Sequence, residues 1–155
     1  MRKRKPKARA IQGDPRYHDT LVTRFINNLQ WSGKKAGAHT IFYDAMDVVK
    51  SKHAEENELD IWRKALDNIM PHVEVRSKRI GGATFQIPTE LPPNRKIFFG
   101  MKWMIRYARE RAGKGMAEKL AAEIIAAQKG EGAAVKKKED IHKMAEANRA
   151  FASFR

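Results

Sequence analysis

The stretch PHVEVRSKRIGGATFQIPTEL, residues 71–91, differs from the rest of the chain because apolar and polar residues alternate along it. Valines alternate with polar residues before Gly81-Gly82, and the alternation resumes from Phe85 to Leu91. A period of two is typical of β-strands, and glycines between two such runs indicate a hairpin. The sequence therefore predicts a β-hairpin at residues 72–91.

The turn of this hairpin admits two interpretations. Gly81-Gly82 could form a two-residue turn, but that register would pair Val75 with Pro88 and mix apolar and polar residues on both faces. A three-residue or bulged turn places all the apolar positions on one side. We therefore expect the three-residue or bulged turn.

The expected turn leaves a basic face on the hairpin. That face would carry Arg76 and Lys78, with Arg79 near the tip. Such a hairpin is suited to reach into a groove of a partner, although a solvated excursion without a partner is the alternative. An isolated hairpin needs something to pack against, which favours a binding arm.

The segments on both sides of the hairpin have the periodicity of helices. Apolar residues recur every three to four positions in three segments before the hairpin and three after it. Gly33, Pro71 and Pro92-Pro93 are typical boundaries of such segments. The pattern predicts a mainly α, single domain of about six helices, with the hairpin between the third and fourth.

The fourth helix is expected to separate apolar from basic residues. Its predicted apolar face consists of Ile97, Phe98, Met101, Met104, Ile105 and Ala108. The opposite side carries Lys102, Arg106 and Arg109, and residues 95–114 contain seven basic residues and one acid. Like charges at this spacing repel one another, so a phosphate backbone that neutralises them would favour the arrangement.

The first ten residues, MRKRKPKARA, contain six basic residues and no acid. Charge repulsion and Pro6 both oppose a helix there. We predict that residues 1–14 are an RNA-binding tail that is disordered until it meets a polyanion. A solubilising tail or a nuclear or mitochondrial address are the alternatives. Residues 15–155 are predicted to form the helical domain, including the arm at 72–91.

Composition limits the class of partner. Hydrophobic residues make up 42% of the 155, enough for one modest core. The net charge of +14 indicates a polyanionic partner, of which nucleic acid is the usual one and an anionic membrane surface the competitor. The absence of cysteine excludes disulfides and thiolate metal sites. Without an apolar run of about 18–20 residues or a signal peptide, we expect a cytoplasmic protein with no membrane partner.

No constellation of residues predicts catalysis. The five histidines are scattered without the spacing of a zinc-binding helix, and neither a phosphate-binding loop nor a nucleophile motif is present. The acids cluster at Glu55–Asp60, far in sequence from the basic segments, which argues against a metal-dependent nuclease. We expect a binding protein with no catalytic residue, cofactor or metal.

Two tryptophans have predicted positions. Trp62 lies on the apolar stripe of the third helix and is expected in the core. Trp103 lies beside the apolar face of the fourth helix, between Lys102 and Arg106, and could stack on a nucleic-acid base. A position in the core or at its boundary is the preferred interpretation for Trp103.

Four segments resemble the bacterial small-subunit ribosomal protein seven family. They are Asp14–Tyr17 followed by LVTRFINNLQWSGKK, the hairpin stretch at 71–91, MKWMIRYAR at 101–109 continuing into KGMAEKLAAEI, and GAAVKKKEDIHKMAEANRAF at 132–151. They occur in the family's order and spacing over essentially the whole chain. The resemblance implies a helical domain with a protruding β-ribbon. It also implies a primary binder of the 3′ major domain of 16S rRNA that nucleates assembly of the 30S head.

The resemblance further implies which residues make contacts. Those implied to bind rRNA are Arg2, Lys3, Arg4, Lys5, Lys7, Arg9, Lys34, Lys35, Arg76, Lys78, Arg79, Arg95, Lys102, Arg109, Arg111 and Lys114, with Met116 nearby. Those implied to lie close to the exit-site tRNA, beside the mRNA path, are Arg79, Gly81 and Gly82. Those implied to lie near ribosomal protein eleven, among the head proteins, are Met144, Asn148 and Phe151.

Two other classes of protein compete with this interpretation. An architectural DNA-binding protein also combines helices with a basic β-arm, but it usually inserts an apolar wedge from the tip, where only Ile80 could serve. An RNA-modifying enzyme or nuclease would suit the charge but lacks a visible set of catalytic residues. Binding to duplex DNA and metal-dependent RNA cleavage are the respective discriminating tests.

Overall fold

Six α-helices and one β-hairpin follow one another along residues 9–154, the part of the chain that the computed structural model describes. The elements are α1 (Thr20–Leu29), α2 (Lys35–Lys52), α3 (Glu58–Ile69), β1 (Val73–Ile80), β2 (Ala83–Glu90), α4 (Pro93–Glu110), α5 (Met116–Gln128) and α6 (Ala133–Ala147). A 3₁₀ helix, Arg149–Phe154, comes last. The prediction of a mainly α domain with a hairpin between the third and fourth helices is confirmed.

Local sequence signals account for where several helices begin. The side chain of Asp19 accepts a hydrogen bond from the backbone N–H of Leu21 at the start of α1, and Asn57 does the same for Leu59 at the start of α3. These residues satisfy N–H groups that have no partner within the helix. Pro93 is the first residue of α4, where its fixed φ suits the helix and its missing N–H costs nothing.

Aromatic side chains from three helices meet at the centre of the core. Phe25 of α1, Phe42 of α2 and Trp62 of α3 are fully buried, with ring centroids 5.5–5.8 Å apart. The two pairs that include Trp62 meet edge to face and the Phe25–Phe42 pair is tilted; such ring contacts add to the free energy gained by burying the rings. The prediction that Trp62 is a core residue is confirmed. Helix α5 lies against α2, α3 and α4 and completes this core with Leu120.

Helix α4 approaches α3 closely at Gly100. A Cβ atom at that position would lie 2.8 Å from Cγ of Met70 and 3.1 Å from Cδ1 of Leu66. A Cβ atom there would require the side chains of Met70 and Leu66 to shift, because the packed interior has little spare room. Glycine at this position thus allows α4 to approach α3 closely.

The turn of the hairpin differs from the prediction. The strands pair Val75 with Pro88, so Gly81-Gly82 forms a two-residue turn, and the expected three-residue or bulged turn is wrong. Both glycines have positive φ, 56° and 91°, as a type I′ turn requires, and that turn matches the natural twist of paired strands. The outer part of the arm does not pack on the core, since β1 is exposed from Arg76 to Arg79. Apolar and polar residues can therefore share a face there.

The observed register also changes the faces of the arm. Arg76 lies opposite Ile87, and Lys78 lies opposite Phe85, so each basic residue shares a face with an apolar one. Ile87 is buried, whereas Arg76 and Lys78 are exposed. The predicted separation into an apolar and a basic face is therefore wrong, although the basic side chains do reach solvent.

Asp14 connects two parts of the chain: the segment that precedes α1, in which it lies, and helix α2. Its fully buried carboxylate accepts hydrogen bonds from the Tyr43 hydroxyl at 2.9 Å and from the backbone N–H groups of Arg16 and Tyr17 at 3.0 and 3.2 Å. The His39 ring lies 3.5 Å from the same carboxylate. Burial and the hydrogen bond to Asp14 raise the pKa of Tyr43 to about 12. This network determines where the N-terminal segment meets the folded part of the chain.

We predict that Asp14→Asn lowers the free energy of unfolding by about 1–3 kcal/mol, because one amide cannot accept all of these hydrogen bonds. Urea unfolding followed by circular dichroism measures the change. Asp44→Asn, which alters an exposed carboxylate on the same helix as Tyr43, is the control and should lie within about 0.5 kcal/mol of wild type. Equal effects of the two substitutions would contradict the anchoring role of Asp14.

Candidate nucleic-acid interface

The predicted contact residues within residues 9–154 lie at the surface, whereas Arg2, Lys3, Arg4, Lys5 and Lys7 fall outside the described residues. The exposed members of the set are Arg9, Lys34, Lys35, Arg76, Lys78, Arg79, Arg95, Lys102, Arg109 and Lys114. Arg111 and Met116 are half-buried. Three elements therefore present exposed cations: the start of α2, the outer part of the hairpin and the exposed side of α4.

The exposed side of α4 carries cations along its length. Lys102, Arg106 and Arg109 face outward, while Met104 and Ala108 of the same helix are fully buried. Arg109 also reaches back to α1, where its guanidinium donates a hydrogen bond to the Leu29 carbonyl at 3.1 Å. Because Leu29 ends α1, this bond satisfies a terminal carbonyl and places a cation at the negative end of the helix.

A single buried carboxylate joins α4 to the hairpin. Glu74 of β1 is only 8% exposed, and it accepts hydrogen bonds from Arg76 on one oxygen and from Arg95 on the other, the latter at 2.9–3.0 Å. Burial alone would raise the pKa of Glu74, but the hydrogen bonds from Arg95 and Arg76 outweigh it, so the pKa lies below its ordinary value. The alternating pattern placed Glu74 among the polar positions of the strand without indicating this role.

A second buried carboxylate joins the middle of α5 to the end of α4 and the start of α6. Glu123 of α5 is fully buried and accepts hydrogen bonds from the Arg111 side chain and from the backbone N–H of Ala134 at 3.1 Å. Arg111 follows the last residue of α4, and Ala134 lies in the first turn of α6. Arg111 thus contributes to the fold, and its contact with rRNA stays a prediction.

The start of α2 concentrates positive charge. Lys34 is the N-cap residue, Lys35 is the first helical residue, and no side chain caps the helix. The N-terminus of a helix itself carries partial positive charge, so two lysines there repel it as well as each other. An anion such as a phosphate would relieve both repulsions. This arrangement fits a surface that faces nucleic acid.

The remaining predicted contacts lie at the tip of the arm and in the C-terminal segment of the chain. Arg79, Gly81 and Gly82 are exposed at its tip. Met144 of α6 is 42% exposed, and Phe151 is half-buried with its ring 5.3 Å from that of Phe85 in β2. The proximity of the first group to tRNA and of the C-terminal residues to a neighbouring protein stays a prediction.

Asn148 and Met116 each lie at the end of a helix and make contacts within the fold. Asn148 is the C-cap residue of α6, and its side-chain amide donates to the Met144 carbonyl at 2.7 Å. Met116 is the first residue of α5 and packs against the edge of the core. Their predicted roles at a protein contact and near rRNA respectively stay predictions.

The observed exposure of the aromatic residues on and near α4 agrees with the sequence prediction for Trp103 but not for Phe98. Trp103 is 8% exposed, so the preferred core position is confirmed and the alternative of a base-stacking Trp103 is not supported. Phe98, assigned to the apolar face, is 41% exposed because it lies at the edge of that face. Trp31, between α1 and α2, is 69% exposed. The sequence signal for Trp31 is its position in a short connection, two residues before Gly33 and the two lysines that follow.

The described residues contain neither a cluster of metal ligands nor a membrane-spanning helix. Within residues 9–154, no three histidine or acidic side chains come together as metal ligands would. No helix in this part of the chain combines the length and the apolar character that crossing a bilayer demands.

The fold and the exposed cations define a helical polyanion-binding protein with a basic β-arm. Comparison with known families is specific: the model of the family described as Ribosomal protein S7p/S5e matches residues 1–149. Proteins named small ribosomal subunit protein uS7 align with 100% of this chain and 99% of their own length. Identities are 61% for Flavobacterium psychrophilum, 58% for Cytophaga hutchinsonii and 60% for Porphyromonas gingivalis.

The chain belongs to the ribosomal protein S7p/S5e family. It is a structural constituent of the small ribosomal subunit, it has ribosomal RNA as its partner, and it is not an enzyme.

We predict that Glu74→Gln lowers the free energy of unfolding by about 1–3 kcal/mol at pH 7, because the neutral amide loses two charge-assisted hydrogen bonds. A carboxylate with a lowered pKa stabilises the fold above its unfolded pKa of about 4.3, and that stabilisation is lost as pH falls through the folded value. The difference between variant and wild type should therefore shrink from pH 7 to pH 3.

Urea unfolding at both pH values measures this difference. Glu90→Gln, which alters an exposed carboxylate of the same hairpin, is the matched control and should have little effect at either pH. A difference for Glu74→Gln that stays constant between pH 7 and pH 3 would show that the charge of Glu74 is not what stabilises the arm.

Proposed function

We propose that this chain binds the 3′ major domain of 16S rRNA and nucleates assembly of the 30S head. The observation that supports this most directly is the set of exposed cations on α4 and the arm, which Glu74 holds together through Arg76 and Arg95. Family membership supplies the small subunit as the setting. The proposal adds the particular RNA domain and the role in assembly.

The proposed mechanism is binding through charge and shape. Lysine and arginine displace counterions from the RNA backbone, so affinity falls steeply as salt rises. A rigid helical face and an arm held at a defined angle then select a folded RNA junction by its shape and its 2′-hydroxyl groups. The proposed contact residues are Arg2, Lys3, Arg4, Lys5, Lys7, Arg9, Lys34, Lys35, Arg76, Lys78, Arg79, Arg95, Lys102, Arg109, Arg111 and Lys114, with Met116 nearby.

The proposal extends to the neighbours of the bound protein. The tip of the arm, with Arg79 and Gly81-Gly82, lies beside the exit-site tRNA and the mRNA path. The end of α6, with Met144, Asn148 and Phe151, lies against ribosomal protein eleven. The exposure of the tip and of Met144 supports these placements.

A DNA-architectural role has less support. A protein of that class inserts an apolar side chain between base pairs. Ile80, the candidate wedge, is half-buried beside the turn, whereas the residues before it in the strand, Arg76 to Arg79, are exposed and mostly basic. The exposed side chains of β1 near the tip are therefore mainly basic, and no large apolar side chain is exposed in this described part of the arm to act as a wedge.

Filter binding of the full chain tests the proposal. The probes are the 16S rRNA 3′ major-domain fragment, an unrelated structured RNA of equal length, and duplex DNA, each over a salt series. Tight binding to the fragment at salt that releases both competitors is the expected result. Equal, salt-sensitive binding to all three would show that charge alone acts and would overturn the proposal.

We predict that Arg76→Ala/Lys78→Ala weakens binding to the fragment and reduces the slope of log affinity against log salt by about 2, since two phosphate contacts are lost. The fold should persist by circular dichroism, because both side chains are exposed and Arg95 remains on Glu74. Lys50→Ala/Lys64→Ala removes the same charge from exposed positions on α2 and α3 and is the control. Equal slopes for the two double variants would exclude the arm from the interface.

A further inference from the structure

Trp31 is held in a defined position although it is 69% exposed. The connection from α1 to α2 turns tightly behind it, with Ser32 and Gly33 both at positive φ, 49° and 76°. The Trp31 carbonyl accepts a hydrogen bond from the backbone N–H of Lys34 at 3.0 Å, which closes the turn. The indole is therefore presented to solvent by an ordered segment directly before the two lysines at the start of α2.

Arg109 orders the indole from the side of α4. The centre of its guanidinium lies 4.8 Å from the centroid of the Trp31 ring, in the geometry of a cation–π contact. The same guanidinium donates a hydrogen bond to the Leu29 carbonyl at 3.1 Å, so two contacts hold it in place, one with the indole and one with this carbonyl. A large aromatic surface and a positive charge are thereby held together at the surface.

A groove between α1 and α4 adjoins this pair. It encloses about 380 Å³ and is lined by Asn28, Phe98, Lys102, Ile105, Arg106 and Arg109. Ile105 is buried, so it provides an apolar floor, and Phe98 adds a second exposed aromatic ring. The Lys102 ammonium lies 5.5 Å from the centroid of Phe98. Arg109 belongs to both places, since it lines the groove and covers part of Trp31.

The combination selects a particular ligand chemistry. A single exposed aromatic residue needs no explanation. Here a groove lined by one exposed aromatic ring and three cations adjoins a second exposed ring, because Arg109 lines the groove and also contacts Trp31. A nucleotide combines a flat ring that stacks on aromatic side chains with a phosphate that binds lysine or arginine. In a duplex the faces of the bases are covered by their neighbours, so only an unpaired nucleotide offers both groups.

We propose that the groove lined by Phe98, Lys102, Arg106 and Arg109, together with Trp31 beside Arg109, is a binding site for an unpaired nucleotide of ribosomal RNA. The inference rests on the proposed function, that the chain binds rRNA, and adds a base-stacking site to it. The base stacks on Trp31 or Phe98. Lys102 binds the flanking phosphate together with Arg106, whose guanidinium also forms an ion pair with Glu110 at 3.0 Å. Base–aromatic stacking corresponds to a gain of about 5- to 100-fold in affinity for one base.

Tryptophan fluorescence of the full chain provides a direct test. Of the three tryptophans, all within the described residues, Trp62 and Trp103 are buried, so a nucleotide in solution reaches Trp31. The probes are single-stranded hexauridylate and an abasic ribose-phosphate hexamer of equal charge. We expect hexauridylate to quench the fluorescence and to bind about 5- to 100-fold more tightly than the abasic hexamer.

Variants identify the ring that is responsible. Fluorescence anisotropy of labelled hexamers should show that Trp31→Leu loses most of the preference for hexauridylate, while Trp31→Phe retains much of it. Lys102→Ala should weaken binding of both hexamers alike. Because Trp31 is exposed, its variants should unfold at the temperature of the wild type, which circular dichroism verifies.

Three results would overturn the proposal. Equal binding of the two hexamers to wild type would mean that only phosphates are recognised. A preference unchanged in Trp31→Leu and in Phe98→Leu would place the base elsewhere. Quenching by hexaglutamate as strong as that by hexauridylate would indicate a site for acidic peptides. Wild-type binding to the 16S fragment is measured in parallel, so failure of this site is distinguishable from failure to bind rRNA.

Discussion

Three buried carboxylates hold a strongly basic chain to its core. Asp14, Glu74 and Glu123 are the buried acids among the described residues, and each fixes a segment that carries exposed cations. Burying a carboxylate is costly unless charged or backbone donors surround it. Glu74 has two arginines, Glu123 has an arginine and a backbone N–H, and Asp14 has a tyrosine and two backbone N–H groups. The net charge of +14 destabilises the compact state through self-repulsion, and these contacts oppose that effect.

The arm depends on support from the helices as well as on Glu74. A two-stranded hairpin alone is marginal in water, and here β1 packs on α6 while β2 packs on the C-terminal 3₁₀ helix. The backbone N–H of His72 donates to Nε2 of His142 at 3.1 Å, which joins the base of the arm to α6. Burial, with Lys138 and His72 nearby, lowers the pKa of His142, so the ring stays neutral and able to accept this bond. An arm oriented in advance loses less freedom when it binds.

Much of the fold was predictable because helices and strands follow local periodicity. The alternation at 71–91 identified the hairpin, and the three-to-four spacing identified six helices. The turn could not be derived in the same way. The apolar pattern favoured a longer turn, but outside the core no burial constrains the face of each residue, and the twist of the strands favours the type I′ turn at Gly81-Gly82. Phe98 shows the same limit, since periodicity does not say how far the core extends around a helix.

The helices, the basic hairpin and the surplus of positive charge could be predicted from the sequence, because they depend on neighbours along the chain and on composition. Which cations are engaged, and what surrounds them, depends on the packing of the folded chain. Arg109 meets Leu29 across 80 residues, and Arg95 meets Glu74 across 21. No local pattern encodes such distances, because they arise from how closely α4 packs on α1, α3 and the hairpin. The same packing brings Trp31 beside Arg109, so a base-stacking surface emerges only once the chain is folded.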